Sequence, residues 1–524
     1  MGDYRYVLAR DRQVNTTFAA PHRSPEDVAA ALTHAGFVLS SSRPVARTML
    51  DTFDGRLHAA RLRLECREDR STDLLLSGRD TTSATLAVVA VPHNAGDLPT
   101  GQFRARIADA VHDRALLPIV RVRSVCTHAV KRDDNSKIVA TATIWERLDL
   151  CDHDDREMLP WTVEVEAVRG FENYARKTCA LLAGIGLDQL DDDTLGEAAR
   201  VAEAHLGGYP GPSDIALDRT MPAADGFCAV LTGLADTVAE NWQGAIDETD
   251  IEFLHDLRIA VRRTRTVLGV SKGVLPHDVR SNALAGFARL GSATAQARDL
   301  DVYRVEWSTY SKGLAPSTVT ALEPVQDLLQ QRTGAAHATL AKALRDPATI
   351  AFIDEWRRWL ADPSVRGEPA KRAVVPLAVV TAERIAQAHA RLVEDGRMIR
   401  HDTPAQNVHE LRKEAKKLRY LIECFGSLLS DGPRKRFVRR LKLLQDNLGV
   451  HQDAEVHVAI LREMAGELHE RGDSPETMVA IGQLAERMDQ RRVAARAEFA
   501  DRFAAYDTDE THAALERALG LKQR

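Results

Sequence analysis

Two helix-like stretches carry the residues best suited to hold an anion. From His255 the chain reads HDLRIAVRRTRTVL and from His409 it reads HELRKEAKKLRYLI, so His, Leu, Arg, a basic pair and a further Arg recur in one order. His255 and His409, Arg258 and Arg412, Arg262 and Lys416, and Arg265 and Arg419 are each 154 positions apart (409 − 255 = 154), as are Asp299 and Asp453. At about 100° per residue the first set falls within an arc of roughly 80°, and its ten residues rise about 15 Å. The cations therefore form a row along one helix face, and the partner of a row is a long anion. Arg presents a planar fork that meets two phosphate oxygens at once, whereas Lys acts as a point charge. Arg263, Lys413 and Lys417 flank the rows, and Arg289 and Arg298 follow the first one.

The two copies are unequal. Arg434 to Lys442 reads RKRFVRRLK, which puts Lys435, Arg439 and Lys442 on one helical face at i, i+4 and i+7, where the first copy has Ser281, Ala285 and Ala288. Between His409 and Lys442 there are 11 Lys or Arg against four Asp or Glu, although the whole chain carries a net charge of −6. The basic island is thus a local device in an acidic protein. A Lys/Arg run on a helix is ordinarily a solvated face with i, i+4 ion pairs. Recurrence at a fixed offset, few acidic partners and the use of Arg favour anion binding here. His255 and His409 suit a phosphate contact or a wall hydrogen bond, a structural role, or a metal if the copies converge with Asp299 and Asp453. The aspartates are expected to position Arg or His. The helical region offers no catalytic nucleophile or carboxylate constellation, so no catalytic residue, metal or cofactor is expected there.

Most of the elements that position these rows are helices. A chain of 524 residues exceeds what one core supports, and 44% hydrophobic with 28% charged residues is a soluble globular composition rather than a disordered one. The breaker cluster Leu206 to Ser213 divides a first domain, 1–205, from a linker at 206–220 and a helical domain at 221–521, with halves at about 221–362 and 371–521. Helices are expected at about 222–245, 250–272, 278–297, 299–312, 317–345 and 347–361. A second set follows at 371–397, 404–427, 432–449, 452–471, 475–504 and 509–519. Leu411, Ala415, Leu418 and Ile422, with Leu441, Leu444 and Leu448, form the apolar stripes of the second half. In the first domain, alternation at Tyr4 to Leu8, Leu62 to Cys66, Ile119 to Arg123 and Trp161 to Glu166 predicts strands. Ser24 with Pro25 predicts a capped helix, and Phe171 to Leu182 a second. Six scattered cysteines show no paired spacing, and no apolar run approaches the roughly 20 residues of a membrane span. The N-terminal MGDYRYVLARDRQ lacks a signal-peptide core. A reducing cytoplasm, with no membrane partner, is the expectation.

The doubled His-x-Leu-Arg motif, each copy followed by an aspartate in ARDLDV or GVHQDAEV, resembles the CHAD family, named for conserved histidines in an α-helical domain. The resemblance implies two pseudo-symmetric four-helix bundles around a basic channel that binds inorganic polyphosphate, in proteins that can gather on polyphosphate granules. The stretch RTMLDTFDGRLHAARLRLECRED at 47–69, with Thr162 to Glu166 and the helix after it, resembles the CYTH or triphosphate-tunnel family, whose domain often precedes a CHAD domain. That implies an α+β domain with a mainly antiparallel sheet closed into a tunnel. The family's metal-holding Glu-x-Glu-x-Lys strand is here YRYVLAR at 4–10, without a carboxylate, and its Leu-Thr-Leu-Lys element is Leu74-Leu75-Leu76-Ser77. Metal-assisted phosphoryl chemistry needs carboxylates, so a degenerate, non-enzymatic domain is expected. Glu164 and Glu166 share one strand face and either hold a metal or belong to a solvated surface. The pairs Arg61 with Arg63 and Arg121 with Arg123 face either a tunnel or solvent.

The function expected is binding of inorganic polyphosphate. The alternatives are a tripolyphosphatase that uses the helical domain for recruitment, and a nucleic-acid scaffold. Tyr420 is the only aromatic in either motif, which argues against nucleic acid, since single-stranded binders stack bases on aromatic platforms.

Overall fold

The computed structural model of the chain describes residues 12–19, 22–69, 71–78, 81–151, 158–190, 194–202, 215–366, 368–400 and 402–520. The strand expected at Tyr4 to Leu8 and the breaker cluster at Leu206 to Ser213 lie outside them. The chain divides into two compact units, Met1–Tyr209 and Pro210–Arg524.

The first unit orders its elements as β1 (Arg12–Ala19), α1 (Pro25–His34), β2 (Phe37–Leu39), β3 (Arg43–Asp51), α2 (Arg56–Ala59), β4 (Leu62–Glu68), β5 (Thr72–Gly78), β6 (Thr81–Val88) and α3 (Gln102–Val111). It continues with β7 (Leu117–Arg132), β8 (Ile138–Leu150), β9 (Met158–Leu159), β10 (Thr162–Val168), α4 (Glu172–Gly184), β11 (Asp188–Gln189) and α5 (Thr194–Val201). The Ser24 cap forms as a capping box with Asp27. Pairing is antiparallel in the order β7-β3-β4-β5-β6-β1-β10-β8, and β8 pairs again with β7 from Val122↔Leu150 to Arg132↔Ile138, so the ring closes. The β6–β1 join is narrow, with Arg12↔Ser83 as its registered pair.

Period-2 alternation then decides which side chains meet. Leu50, Leu64, Leu74, Leu76 and Leu86 pack on Leu57 of α2 and on Ile107 and Val111 of α3. Phe18, Ile144, Val163 and Val165 pack on Val28 and Leu32 of α1 and Leu182 of α4. A third cluster joins Val45 and Met49, on the opposite face of β3 from Leu50, to Trp145 and to Leu195, Ala198 and Ala199 of α5.

The second unit is all helix: α6 (Ala223–Ile246), α7 (Ile251–Val270), α8 (His277–Ala293), α9 (Ala295–Ser311), α10 (Pro316–Ala321), α11 (Glu323–Leu344) and α12 (Pro347–Ala361), then α13 (Leu377–Met398), α14 (Ala405–Cys424), α15 (Asp431–Glu470), α16 (Pro475–Tyr506) and α17 (Asp509–Leu519). Prolines set many of the starts. Pro316, Pro347 and Pro475 occupy the first helical position, where the missing N–H costs nothing, and Pro276, Pro376 and Pro404 stand just before helices. Pro376 is also why α13 begins at Leu377 rather than at the expected 371.

The 154-residue offset reappears in the backbone. α7 and α14 correspond at both ends (251 + 154 = 405; 270 + 154 = 424), and α6 and α13 at their starts. Equivalent positions also meet one another. Ala223 N–H donates to Val375 O at 2.9 Å and Leu377 N–H to Met221 O at 2.8 Å, around an antiparallel bridge between Pro222 and Pro376. Tyr303 stacks on His457, again 154 positions on, with ring centroids 4.6 Å apart and planes at 16°.

One expected pair of helices is a single helix. α15 runs unbroken for 40 residues where separate helices were expected at 432–449 and 452–471, whereas the first half breaks at Thr294 between α8 and α9. The Thr294 hydroxyl bonds back to Gly291 O at 3.0 Å, and Arg258 Nη1 donates to the same carbonyl at 3.2 Å, drawing it out of the helical ladder. The equivalent positions of α15 are Gln445 and the buried Leu448, which leave the ladder intact.

Candidate functional site: the facing rows of α7 and α14

Each row is held by an apolar stripe beside it. On α7 the buried residues are Phe253, Leu254, Leu257, Ala260, Val261, Thr264, Val267 and Leu268, and the carboxylate of Asp250 caps the helix through Glu252 N and Phe253 N. On α14 they are Val408, Leu411, Ala415, Leu418, Leu421, Ile422 and Cys424. The expected stripes are buried on both α14 and α15. Most row cations sit at the half-buried flank of these stripes, and Arg265 is exposed.

The two basic helices pack against each other. Glu423 on α14 ties them, accepting from Arg263 Nη2 at 2.6 Å and from Arg419 Nε at 2.7 Å, while the Arg263 guanidinium lies 5.7 Å from the Tyr420 ring centre. The aspartates do position arginines, at matching places. Arg258 Nη2 lies 4.0 Å from Asp299 Oδ1, and Arg412 Nη2 lies 3.1 Å from Asp453 Oδ1. His409 Nδ1 is 2.5 Å from Gln452 Oε1 on α15. The residue equivalent to Gln452 is Arg298, which donates to Ile251 O at 3.3 Å, so the two histidines have different neighbours.

The electrostatics are those of crowded cations. Burial, then Arg412 and Arg262, pull the Lys416 ammonium down to about 7 against the opposing pull of Asp453. Burial and Arg262 bring Arg258 down to about 10 against Asp299. Burial raises Asp299, with Arg258 and Arg262 opposing and Asp453 adding to the rise. Arg262 thus acts on Lys416, its equivalent in the second copy, and Asp453 on Asp299. The Nε–H groups of Arg258, Arg262, Arg263 and Arg412 are buried and have no hydrogen-bond partner among the described residues. Buried donors are nearly always satisfied. The Nε–H groups of Arg43, Arg366, Arg384 and Arg434, away from the rows, share this lack of a partner among the described residues.

The flanking cations differ in how much charge they can offer. Lys413 pairs with Glu410 at 2.9 Å, Lys417 with Glu414 at 3.4 Å and Lys435 with Asp431 at 2.7 Å, each on its own helix. Among the described residues no carboxylate pairs with Arg262, Arg265, Lys416, Arg439 or Lys442. Arg289 stands 6.0 Å from the ring centre of Phe352 on α12. Around α15, Lys435, Arg439 and Lys442 fall within about 40° of Asp453, the residue that meets Arg412. The second basic stretch therefore extends the α14 row.

Comparison with known proteins follows this division. Residues 229–462 match the family model of the CHAD domain. The chain carries a CHAD domain. It is similar to the crystal structure of the CHAD domain from the plant Ricinus communis, with 23% identity over 59% of this chain and 95% of that one and a TM-score of 0.43. PptA from Streptomyces chartreusis is similar at 19% identity, over 54% of this chain and 99% of that one, with a TM-score of 0.42. No curated protein matches the chain. All the candidate cations and both histidines, from His255 to Lys442, fall inside the matched CHAD segment.

The ring of the first unit, outside the CHAD match, holds the charged network that sequence reasoning missed. Arg47, 1% exposed, donates through Nε to Glu65 Oε1 at 2.7 Å and through Nη2 to Glu65 Oε2 at 3.1 Å and Glu164 Oε1 at 3.2 Å. Arg67 takes the same Glu65 oxygens at 2.5 and 3.1 Å, and the Arg47 guanidinium lies 4.0 Å from the centre of the Trp145 ring. β3 and β10 are not neighbours in the ring, so the Arg47–Glu164 contact spans its interior. Burial would push Glu65 up, but Arg47 and Arg67 outweigh it and hold its carboxyl at about 2. Glu164 and Glu166 are buried rather than solvated, and Glu164 is already committed to Arg47. Arg121 and Arg123 are exposed, Arg63 shares the face of Glu65 and Arg67, and Arg61 lies outside the strands at φ 56°. Asp51, in the stretch that carries the CYTH resemblance, accepts from the backbone N–H groups of Thr52, Leu57 and His58 at 2.7, 2.8 and 2.9 Å. Those bonds fix the entry to α2. Among the described residues no group of three or more His, Cys, Asp or Glu is arranged to hold a metal ion.

Proposed function

We propose that the chain binds inorganic polyphosphate along the facing rows of α7 and α14, and that it does so without performing chemistry on it. The observation that carries this reading is the packing of α7 on α14, which brings two basic rows together with no carboxylate paired to Arg262 or Lys416 among the described residues, where burial and neighbouring cations pull Lys416 down to about 7. A chain of phosphates supplies closely spaced acceptors and negative charge along a line, which is what a row of forked donors at a helix interface can use. CHAD domains are linked in general to polyphosphate binding, and every candidate residue lies within the match. We read the halves at about 221–362 and 371–521 as pseudo-symmetric bundles, supported by the reciprocal bonds about Pro222 and Pro376. Binding leans towards the second half, where Arg439 and Lys442 extend the row. In a cell such a protein gathers on cytoplasmic polyphosphate granules.

We read the first unit as a degenerate CYTH-like domain. Its closed antiparallel ring supports the likeness. The same ring, with arginines and glutamates turned inward, favours a second reading as a metal-dependent tripolyphosphatase, and the commitment of Glu164 to Arg47 weighs against it. The experiment that separates the readings has two arms. Gel shift with polyphosphates of graded length against RNA of equal charge tests binding and its preference. Phosphate release from tripolyphosphate with Mg²⁺ or Mn²⁺ tests catalysis, and turnover lost in E164Q would establish the enzyme in place of the binding protein.

A further inference from the structure

Lys416 stands where the first copy has Arg262; it is half-buried, lies between Arg412 and Arg419 at i−4 and i+3 on α14, and α14 packs against α7, which carries Arg262. An arginine in such a place keeps its proton at any ordinary pH, whereas a lysine can release it. The charges that act on Lys416 come from three helices. α14 contributes Arg412 and Arg419, α7 contributes Arg262, and α15 contributes Asp453; α13, also packed along α14, supplies none of these leading charges. The short turn Gly426–Leu428 has no titratable side chain. The leading opposing carboxylate, Asp453, is engaged by Arg412 at 3.1 Å. Lys416 is therefore a half-buried amine beside three guanidiniums, and the leading opposing charge, Asp453, is shared with Arg412.

We propose that the CHAD domain takes up a proton at Lys416 when it binds a polyphosphate chain, so that binding tightens as the pH falls from alkaline values towards neutrality. This rests on the reading of the rows as a polyphosphate site. In the free protein, burial and the neighbouring cations hold the ammonium at about 7, so above neutrality much of Lys416 is neutral. Phosphate oxygens laid along the row favour the charged form, and by linkage whatever favours the proton in the complex favours the complex in acid. Affinity accordingly rises as pH falls from the pKa of the complex towards the free value near 7, and levels off below it. His255 and His409 lie on the same rows, so the test must separate an imidazole from an amine.

The measurement is calorimetric titration of the full chain with a polyphosphate of one length at about pH 8, in buffers of different ionisation enthalpy, from which the protons taken up per binding event are read. Uptake of about half a proton or more is expected, and it should disappear in K416R, where the charge is permanent, while persisting in H255N/H409N. K416M serves the same purpose if K416R does not fold, with weaker and pH-independent binding as the expected result. Binding without proton uptake, uptake that survives in K416R, or uptake that vanishes in the histidine variant overturns the assignment to Lys416. Absence of any polyphosphate binding by the wild-type chain overturns the functional reading itself, and the proton coupling with it.

Discussion

Replacing Lys416 with methionine should stabilise the unliganded protein. Methionine has a similar length and no charge, so it fills the same space while removing an ammonium that the fold holds at a disadvantage. The fall from 10.5 to about 7, at about 1.4 kcal/mol per tenfold change, corresponds to an upper figure of about 4 kcal/mol near neutral pH. Relaxation and water around a partly buried amine reduce this, so a gain of about 1 kcal/mol or more is expected, or roughly 2 °C or more in the Tm of a unit this size. The sign of the pH dependence is fixed. With a folded pKa below the unfolded one, the penalty is absent above the unfolded pKa of 10.5, grows as pH falls towards 7 and is constant below it. Thermal and urea denaturation of K416M and wild type across this range should show a gain that is largest at neutral pH and shrinks in alkali. A variant less stable than wild type at pH 7, or a gain indifferent to pH, refutes the reasoning. Polyphosphate should in turn raise the Tm of wild type more than that of K416M, because a ligand stabilises in proportion to its affinity for the folded state.

Two further substitutions test other parts of the account. E65Q leaves the buried Arg47 and the half-buried Arg67 with part of their partner charge removed, and should cost about 3 kcal/mol in denaturant unfolding of the first unit. Since Glu65 is held at about 2, its contribution is present above the ordinary carboxylate range and is lost as pH falls to 2; E65Q should flatten that acid transition, and an unchanged transition would count against the network. K435E/R439E/K442E should weaken polyphosphate binding by tenfold or more and reduce the slope of log affinity against log salt, through loss of counterion release. Glutamates at Ser281, Ala285 and Ala288 should do less, and equal effects in the two halves would remove the asymmetry argued here.

The helical unit was legible because its signals are local and repeated. The 154-residue offset, the prolines at helix starts and the 3.6-residue stripes each sit within a few turns of one another, and α7 and α14 begin within a residue of where the pattern puts them. The break expected between 449 and 452 does not form because the buried face through Leu448, His451 and Ala454 continues without interruption. Tyr303 and His457 gave no sign of stacking, since neither position predicts a partner 154 residues away without the fold that joins them. The interior of the first unit was hidden for the same reason. Glu65 reads as one acid in a basic strand, and Arg47 and Glu164 are 117 positions apart. Only closure of the ring brings them to the 3.2 Å that turns a possible metal ligand into an arginine partner. The row itself was visible, but its crowding was not, because the sequence does not show that α7 and α14 pack against each other.

The central claim is that the facing rows of α7 and α14 are the polyphosphate site. Its most direct test is titration of R262E/R412E, two positions flanking the interface on either helix, against wild type with one long polyphosphate over a range of salt, with circular dichroism to establish that both chains are folded. The account predicts that the variant loses at least a hundredfold in affinity and a large part of the salt dependence. A folded variant that binds like wild type would place the site elsewhere on the protein.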